Sequence, residues 1–238
     1  MPGFFQPQPV RAALRRLRRR FVRAQPRADR VSLAELFLSV YRRKIWGGAD
    51  DDFYSGTGTH TPCLIEPFVA AVRPRLSAFA IPPIVVDLGC GDFAAGRRFL
   101  DVAGHLHACD VVPELIARNR RLFAAPNLSF HILDAVTDPL PRGDVVIVKQ
   151  VFQHLGNDQI AIILRKLAQY PLWIVTEHVP AGRFAPNHDM PASGSTRLLV
   201  SSGVVLTEKP FRIRPKATEL LCEVVDDPDL IRTIAYRF

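Results

Sequence analysis

The stretch Val85-Val86-Asp87-Leu88-Gly89-Cys90-Gly91-Asp92-Phe93 decides the fold of this chain, because an apolar strand ends there in an acidic turn with two glycines. The residues before Asp87 are β-branched and uncharged, as expected of a parallel strand buried on both faces. Gly89 and Gly91 allow backbone conformations that other residues avoid, and they let a ligand approach the main chain. Residues 94–102 are predicted to form a helix whose first N–H groups add to the site. The stretch therefore predicts a nucleotide-binding unit.

Strands and helices alternate through the second half of the chain, which predicts an α/β fold with a doubly wound, mostly parallel sheet. Turn residues at 226–229 predict a terminal hairpin, which gives seven strands with the last one antiparallel. We expect strands near residues 84–88, 106–110, 129–133, 144–150, 172–177, 218–225 and 231–237, and helices near residues 31–43, 62–76, 94–102, 113–124 and 157–169.

The net charge of +8 comes entirely from residues 1–30, which hold nine arginines and one acidic residue, Asp29. Residues 31–238 carry balanced charge, so the folded domain lacks the basic bias of a nucleic-acid-binding protein. We therefore do not expect nucleic acid as its partner.

An apolar stripe at helical spacing runs between these arginines, formed by Leu14, Leu17, Phe21 and Val22. Such a pattern fits peripheral contact of residues 11–30 with an anionic membrane, or with a nucleic acid. A solvated arm and an organellar presequence are the alternatives.

Four cysteines, at positions 63, 90, 109 and 222, lack the paired spacing of a zinc site and are too few for a disulfide scaffold. A reducing, cytoplasmic location fits them best. His105 and His107 share one face of a predicted strand, but no third ligand has suitable spacing, so we expect no metal site. No apolar run reaches the roughly 20 residues that cross a bilayer.

Two interpretations of the glycine turn compete, because Gly89, Gly91 and Ala94 also fit the looser dinucleotide fingerprint with Asp110 beyond it. The acid two residues before the first glycine, and a third acidic strand end in Leu133-Asp134-Ala135, favour another family. With these residues, the chain resembles the class I S-adenosylmethionine-dependent methyltransferases over residues 84–178. The resemblance implies a Rossmann-like methyltransferase fold and S-adenosylmethionine as cofactor.

Parallel strands deliver their last residues to one rim of the sheet, so the three strand-end aspartates can meet at one ligand. By the resemblance, Asp110 accepts hydrogen bonds from the ribose hydroxyls, and Asp134 accepts one from the adenine amino group beside Ala135. Asp87 lies near the ammonium of the methionine portion, or fixes the turn. The expected cofactor contacts are Asp87, Gly89, Cys90, Gly91, Asp110, Val111, Asp134, Ala135 and Lys149. The alternative is that each aspartate only caps the following turn.

The fourth strand ends in Lys149-Gln150-Val151-Phe152, where methyltransferases of nucleobase or amide nitrogen often carry Asn/Asp-Pro-Pro-aromatic. This difference disfavours methylation of DNA amino groups. His154 is a candidate general base toward an acceptor hydroxyl, and its alternative role is to hydrogen-bond the loop or shield the cofactor. Gln150 is a candidate positioning residue.

Two further segments resemble a bacterial methyltransferase group that is often found near glycan or surface-polysaccharide genes. They are Tyr41 to Trp46-Gly47 with Tyr54-Ser55-Gly56-Thr57-Gly58-Thr59, and Asn187-His188-Asp189 with Gly194-Ser195-Thr196-Arg197. Many members have Trp where Thr196 stands. The resemblance implies that these loops cover the cofactor and acceptor, that Ser55 and Thr59 bind substrate, and that Arg197 clamps an anion.

The sequence thus predicts methyl transfer from S-adenosylmethionine to a hydroxyl of a small molecule or glycan. Residues 1–30 form an extension, and residues 31–238 form one domain. Within it we expect N-terminal helices and a glycine-rich lid loop (31–80), a cofactor-binding core (84–178), and an acceptor loop with the terminal hairpin (179–238). Two rival functions stay open: an NAD(P)-dependent oxidoreductase, and a non-catalytic module that binds membrane or RNA through the arginine-rich extension.

Overall fold

The structure is a computed structural model that describes residues 31–48 and 52–238. In these ranges the chain forms helices α1 (Leu33–Arg42), α2 (Thr57–His60) and α3 (Pro62–Ser77), strands β1 (Ile84–Leu88) and β2 (His105–Asp110), helix α4 (Pro113–Leu122), strands β3 (Leu128–Ile132) and β4 (Val145–Lys149), helix α5 (Asn157–Leu167), and strands β5 (Leu172–Val179), β6 (Ala217–Asp226) and β7 (Asp229–Arg237). Short 3-10 helices lie at Gly96–Phe99, Phe152–His154 and Arg197–Val200.

Helix α1 lies within the predicted segment 31–43, and Ser32 caps its start. The Ser32 hydroxyl accepts the N–H of Glu35 (3.2 Å), and the Glu35 carboxylate accepts the N–H of Ser32 (3.0 Å). This reciprocal capping box satisfies N–H groups that have no partner within the helix. The apolar side chains Leu33, Leu36 and Phe37 of α1 pack against a buried hydrophobic cluster.

All seven strands form one sheet in the order β3-β2-β1-β4-β5-β7-β6. Strands β1 to β5 pair in parallel, and β7 pairs antiparallel with both β5 and β6. The predicted doubly wound, seven-stranded sheet with its terminal hairpin is confirmed. Because the chain leaves β1 in one direction and returns at β4 on its other side, a crevice opens at the carboxyl ends of these strands.

Helices cover both faces of the sheet. Alternate residues of the central strands face α5 on one side, among them Val86, Val146 and Val148. The intervening residues face α3 and α4, among them Val85 and Ile147. Burial on both faces explains why these strands are continuous apolar runs.

The predicted helix at residues 94–102 is wrong, since the segment forms turns and the 3-10 helix Gly96–Phe99. Phe93 adopts a left-handed φ of 67°, and its buried ring packs edge-on against Phe123 and Phe130. Burying this ring prevents a regular helix from starting after the glycine turn. The cradle of helix N–H groups that the sequence suggested is therefore not formed.

The four cysteines are free thiols. Within the described ranges, no group of three or more His, Cys, Asp or Glu side chains is arranged to hold a metal ion. None of the helices described has the length and apolar content needed to cross a bilayer. The predictions for residues 1–30 lie outside the described part of the chain.

Candidate cofactor and acceptor site

A cavity of about 410 Å³ opens at the carboxyl ends of β1, β2 and β4. Every site residue that the sequence predicts, with the exception of Arg197, lines it. These residues are Ser55, Thr59, Asp87, Gly89, Cys90, Gly91, Asp110, Val111, Asp134, Ala135, Lys149, Gln150 and His154. The topology thus brings together side chains that are far apart in sequence.

The glycine turn after β1 needs glycine at both positions. Gly89 and Gly91 have left-handed φ values of 78° and 55°. A Cβ on Gly89 would overlap Val151, and one on Gly91 would overlap the Ser55 hydroxyl. The N–H groups of Gly89 and Cys90 donate to the carbonyl of Cys109 (2.8 and 2.9 Å), so the turn is tied to β2.

Asp110 ends β2 and holds the same turn. One carboxylate oxygen accepts the N–H of Gly91 and the other accepts that of Val112, both at 3.0 Å. Burial raises the pKa of Asp110 to about 6, although these N–H groups oppose the rise. Because each carboxylate oxygen has a further lone pair, the side chain caps the turn and can still accept hydrogen bonds from two vicinal hydroxyls.

Asp134 lies just beyond β3 and also caps a turn, through the N–H of Val136 (2.8 Å). Lys166 on α5 donates to the carbonyls of Ala135, Val136 and Asp138 at 2.7 to 3.0 Å. This lysine, whose partners are remote from it in sequence, fixes the loop that forms one end of the cavity.

Asp87 ends β1 in a different environment. It is 6% exposed, and none of the hydrogen bonds found among the described residues involves its carboxylate. Burial raises the pKa of Asp87 to about 7, while Lys149 draws it down and Asp110 adds to the rise. A buried carboxylate without a hydrogen-bonding partner, facing a cavity, fits a cationic ligand group.

Lys149 ends β4 and holds residues 54–60, which we call the glycine-rich segment. Its ammonium donates to the carbonyl of Gly58 (2.9 Å), the hydroxyl of Thr59 (3.1 Å) and the side-chain oxygen of Gln150 (2.8 Å). Burial lowers the pKa of Lys149 to about 8, and the negative charge of Asp87 opposes this. The lysine therefore connects the sheet to the segment above the cavity.

The glycine-rich segment is also fastened to the turn by Asp92. The N–H of Ser55 donates to the Asp92 carboxylate, and the N–H of Asp92 donates to the Ser55 hydroxyl, both at 2.8 Å. The ring of His60 donates to the same carboxylate at 2.6 Å and stacks on Tyr54 with ring centres 4.3 Å apart. Sequence reasoning missed the roles of Asp92 and His60, which depend on a contact between distant segments.

Gln150 follows β4 with a left-handed φ of 57°. Its N–H donates to the carbonyl of Thr176 (2.7 Å), and its side-chain amide packs against Gly58. This strained conformation turns the chain away from the sheet at the cavity.

His154 has hydrogen-bonding partners at both ring nitrogens. Its Nδ1 donates to the carbonyl of Ser195 (3.1 Å), because a carbonyl only accepts. Its Nε2 must then accept from the amide of Gln153 at 3.2 Å. Burial lowers the pKa of His154 to about 4, so the ring is neutral near neutral pH. This arrangement favours the structural alternative over the general base.

Glu177 on β5 holds the segment that carries His154. Its two carboxylate oxygens accept the N–H groups of Phe152 (3.1 Å) and Gln153 (2.9 Å). Burial raises the pKa of Glu177 to about 8, although those N–H groups and the charge of Arg197 oppose the rise. Glu177 is a positioning residue that sequence reasoning did not identify.

An aromatic wall, formed by Phe37, Tyr41, Trp46 and His154, closes one side of the cavity. The ring centres of Trp46 and His154 are 4.9 Å apart, and those of Phe37 and Trp46 are 6.0 Å apart. The indole N–H of Trp46 donates to the carbonyl of Gly194 (2.8 Å), which orients the ring. Phe37 and Tyr41 lie at helical spacing, a pattern that by itself indicates only a buried face of α1.

The structure does not support Arg197 as an anion clamp. This residue is fully buried, and its guanidinium donates to the carbonyls of Leu155 (2.6 Å) and His188. It joins the loop after β5 to the segment after β4. A long cationic side chain in a loop suggested an exposed ligand contact, but its charge is used for main-chain carbonyls inside the fold.

Residues 85–170 match the profile of a family described as a methyltransferase domain. This segment of the chain is therefore similar to methyltransferase domains. The strand-end aspartates and the glycine turn both lie inside the matched segment. A search of curated protein sequences found no significant match to the chain.

Several solved structures share the fold of this chain at low sequence identity. The chain is similar to human N-acetylserotonin methyltransferase in complex with S-adenosylmethionine (TM-score 0.54, 16% identity, 87% of this chain and 60% of that one). It is also similar to 1,6-didemethyltoxoflavin-N1-methyltransferase from Burkholderia thailandensis (0.51, 17%, 100% and 94%) and to the N-methyltransferase NodS from Bradyrhizobium japonicum (0.56, 14%, 84% and 97%). This chain thus spans 60% of the human enzyme's length.

Proposed function

We propose that this chain transfers the methyl group of S-adenosylmethionine to a hydroxyl oxygen of a small molecule or glycan. The observation that carries the proposal is the placement of Asp87, Asp110 and Asp134 around one cavity that continues past the end of β4. The cavity therefore has one end lined by carboxylates and another lined by aromatic and polar side chains.

The residues present fit the cofactor. Gly89 and Gly91 give the turn its left-handed backbone and let Val151 and Ser55 pack directly against it. Asp87 offers an unpaired carboxylate to the ammonium of the methionine portion, Asp110 offers acceptors to the ribose hydroxyls, and Asp134 offers one to the adenine amino group. The bound cofactor supplies a methyl group on a positively charged sulfur that departs as a neutral thioether.

The acceptor would lie beyond β4, between Gln150 and the aromatic wall. The rings of Trp46 and His154, tilted by 42° to each other, give an aromatic surface on which planar rings or sugar faces can pack. The human and Burkholderia proteins are named for small-molecule acceptors, N-acetylserotonin and 1,6-didemethyltoxoflavin. The glycan alternative rests on the resemblance of the glycine-rich segment and the 187–197 loop to the bacterial group.

In this proposal the glycine-rich segment closes over both ligands. Ser55 and Thr59 face the cavity and are tied to Asp92 and Lys149. Release of these few contacts would open the cavity, and their formation excludes water from the reacting groups. Alignment of the acceptor oxygen with the methyl group then supplies much of the rate acceleration.

The sheet order counts against the oxidoreductase alternative. Dinucleotide-binding folds of the 3-2-1-4-5-6 type have a parallel sixth strand. Here the edge is an antiparallel hairpin, with β7 inserted between β5 and β6. Asp226 at the end of β6 also lines the cavity, so this antiparallel hairpin contributes a side chain to the site.

An isotopic methyl-transfer screen tests the proposed reaction. The protein is incubated with S-adenosylmethionine that carries a tritiated methyl group and with chromatographic fractions of a cell extract. We expect label to enter a small-molecule or glycan fraction and to resist mild acid, as an ether does. Label found only in nucleic acid, or in no fraction with a protein that binds the cofactor, contradicts the proposed acceptor class.

A further inference from the structure

His178 is a second histidine of the cavity, and no contact described above gives it a role. It lies near the end of β5, and Asp226 lies at the end of β6. Both line the cavity together with Gln150 and His154. The structure therefore places an imidazole and a carboxylate on the acceptor side, beyond the residues that hold the cofactor.

The imidazole and the carboxylate form a close pair. His178 Nε2 lies 3.2 Å from Asp226 Oδ2, which is within ion-pair distance. The same Nε2 is buried and lacks a partner with full hydrogen-bond geometry in the described chain. The attraction is thus chiefly electrostatic, and it grows when the ring gains a proton.

The two histidines of the cavity differ in the nitrogen that is left for a ligand. Gln153 and Ser195 occupy both ring nitrogens of His154. In His178 the carboxylate faces Nε2, and among the described residues no hydrogen bond to Nδ1 is found. The main-chain N–H of His178 donates to Gln153 Oε1 (3.0 Å), which fixes the backbone beside the segment that carries His154.

We propose that His178, oriented and charge-stabilised by Asp226, is the general base for the acceptor hydroxyl. This role rests on the proposed methyl transfer. The O–H bond of the acceptor breaks and its proton passes to Nδ1 of His178. The oxygen forms the new bond to the methyl carbon, and the electron pair of the breaking C–S bond stays on sulfur. The products are a methyl ether, a neutral thioether and an imidazolium paired with Asp226.

The charges around His178 favour the transfer of a proton from the acceptor hydroxyl to its ring. Asp226 and Asp229, both at the hairpin end, favour the protonated ring, whereas Lys149 on β4 disfavours it. Burial lowers the pKa of His178, so the ring starts neutral near neutral pH. A neutral ring beside a carboxylate can accept a proton and then hold it.

The tautomer of His178 can be measured without an acceptor. Long-range nitrogen–proton spectra of the full chain, saturated with S-adenosylhomocysteine, assign the ring protons, and a His178→Asn variant identifies the signals. We expect a neutral ring at pH 7.5 with its proton on Nε2. We also expect Asp226→Asn to lower the pKa of His178. A neutral ring with its proton on Nδ1, or a pKa that Asp226→Asn leaves unchanged, overturns the assignment.

Chemical rescue tests the same role in turnover. His178→Ala should lose at least ~100-fold in methyl transfer to the active extract fraction, the usual contribution of a general base. Its affinity for S-adenosylhomocysteine should stay at the wild-type value, and added imidazole should restore part of the rate. The matched control is His105→Ala, which removes a half-buried histidine on β2 outside the cavity. Wild-type turnover in His178→Ala, or a loss that imidazole leaves unchanged, overturns the proposal.

The two proposals fail differently. A wild-type chain that binds no S-adenosylmethionine, or transfers no methyl group, contradicts the proposed function. A wild-type chain that does both, with a His178→Ala variant of equal turnover, contradicts only the role of His178.

Discussion

The three strand-end aspartates share a position in the fold but differ in their contacts. Asp110 and Asp134 accept main-chain N–H groups of the turns that follow them, whereas no such bond to Asp87 is found in the described chain. Asp110 and Asp134 can therefore cap these turns and still accept hydrogen bonds from a ligand. For Asp87, the buried and unpaired carboxylate makes a cationic ligand the expected partner.

Asp110→Asn should weaken the binding of S-adenosylhomocysteine. The amide replaces one acceptor oxygen by a donor, which leaves a ribose hydroxyl or a turn N–H without its acceptor. We expect a loss of about 1–3 kcal/mol, measured by titration calorimetry. Asp101→Asn, which removes an exposed carboxylate paired with Arg73, is the matched control. Unchanged affinity in a folded Asp110→Asn variant would contradict the ribose role.

The affinity for S-adenosylmethionine should rise with pH. The pKa values of Asp87 and Asp110 are raised to about 7 and about 6, so both carboxyls take up protons as the pH falls through this range. The cationic ammonium binds the ionised form of Asp87, and affinity should therefore fall about tenfold per pH unit below its pKa. Asp87→Asn should bind more weakly at pH 8 and lose most of the dependence between pH 6 and 8. Equal affinity of the wild type at pH 6 and 8 rules out this role.

Local sequence predicts the residues whose role follows from a strand end. The Asp87, Asp110 and Asp134 positions could be inferred because parallel strands share a rim. Asp92, Lys166 and Glu177 could not, because each acts on a segment that is remote in sequence. Arg197 was misjudged for a related reason, since its burial depends on how two loops pack.

At the scale of elements, the segment between β4 and α5 is held by several buried contacts beside the proposed acceptor position. It leaves β4 through the strained Gln150 and passes over Glu177, which accepts two of its N–H groups. Lys149 donates to the side-chain oxygen of Gln150 (2.8 Å), and Arg197 donates to the carbonyl of Leu155 (2.6 Å). This network fixes His154 and Gln153, and through Gln153 it also fixes His178.

Glu177→Gln should destabilise the fold. An amide has only one acceptor oxygen for the N–H groups of Phe152 and Gln153, so one buried donor loses its partner. We expect the free energy of unfolding in urea to fall by about 1–3 kcal/mol. Glu219→Gln on the exposed strand β6, where a surface ion pair with Arg75 contributes little, is the control.

The stability difference between wild type and Glu177→Gln should depend on pH. The pKa of Glu177 is raised by burial to about 8 in the folded chain, above its ordinary value of 4.5. The protonated Glu177 side chain makes its full contribution to the free energy of unfolding below pH 4.5. This contribution is lost as the pH rises toward 8. The difference between wild type and Glu177→Gln should therefore shrink over this range. A difference that grows with pH contradicts a raised pKa.

Among the elements, the strands could be predicted better than the segment after the glycine turn. Apolar, β-branched runs specify a strand wherever the sheet buries both faces. Residues 94–102 have a helical pattern of apolar residues. In the structure, however, the Phe93 ring packs between Phe123 and Phe130, and the backbone turns at Phe93 to allow this packing. That pocket exists only after the sheet and α4 have formed.

At the scale of the whole molecule, charge and site are separated along the chain. Among the described residues, those that line the cavity lie between Leu33 and Asp226, whereas the net positive charge lies in residues 1–30. We propose that the extension makes peripheral contact with anionic membranes and takes no part in cofactor binding.

Deletion of residues 1–30 tests this separation. The shortened chain should bind S-adenosylhomocysteine with wild-type affinity, because the cavity residues are retained. It should lose binding to vesicles that contain anionic lipid, measured by co-sedimentation at low salt. Vesicles of neutral lipid are the control. Anionic vesicle binding that survives the deletion contradicts the membrane role of the extension.

Titration calorimetry of the full chain with S-adenosylhomocysteine, and separately with NADP, tests the central claim most directly. It asks whether the cavity at the carboxyl ends of β1, β2 and β4 is a methyltransferase cofactor site. We predict saturable binding of one S-adenosylhomocysteine per chain, weakened in Asp110→Asn, and no binding of NADP. Saturable binding of NADP by a chain that does not bind S-adenosylhomocysteine would contradict the account.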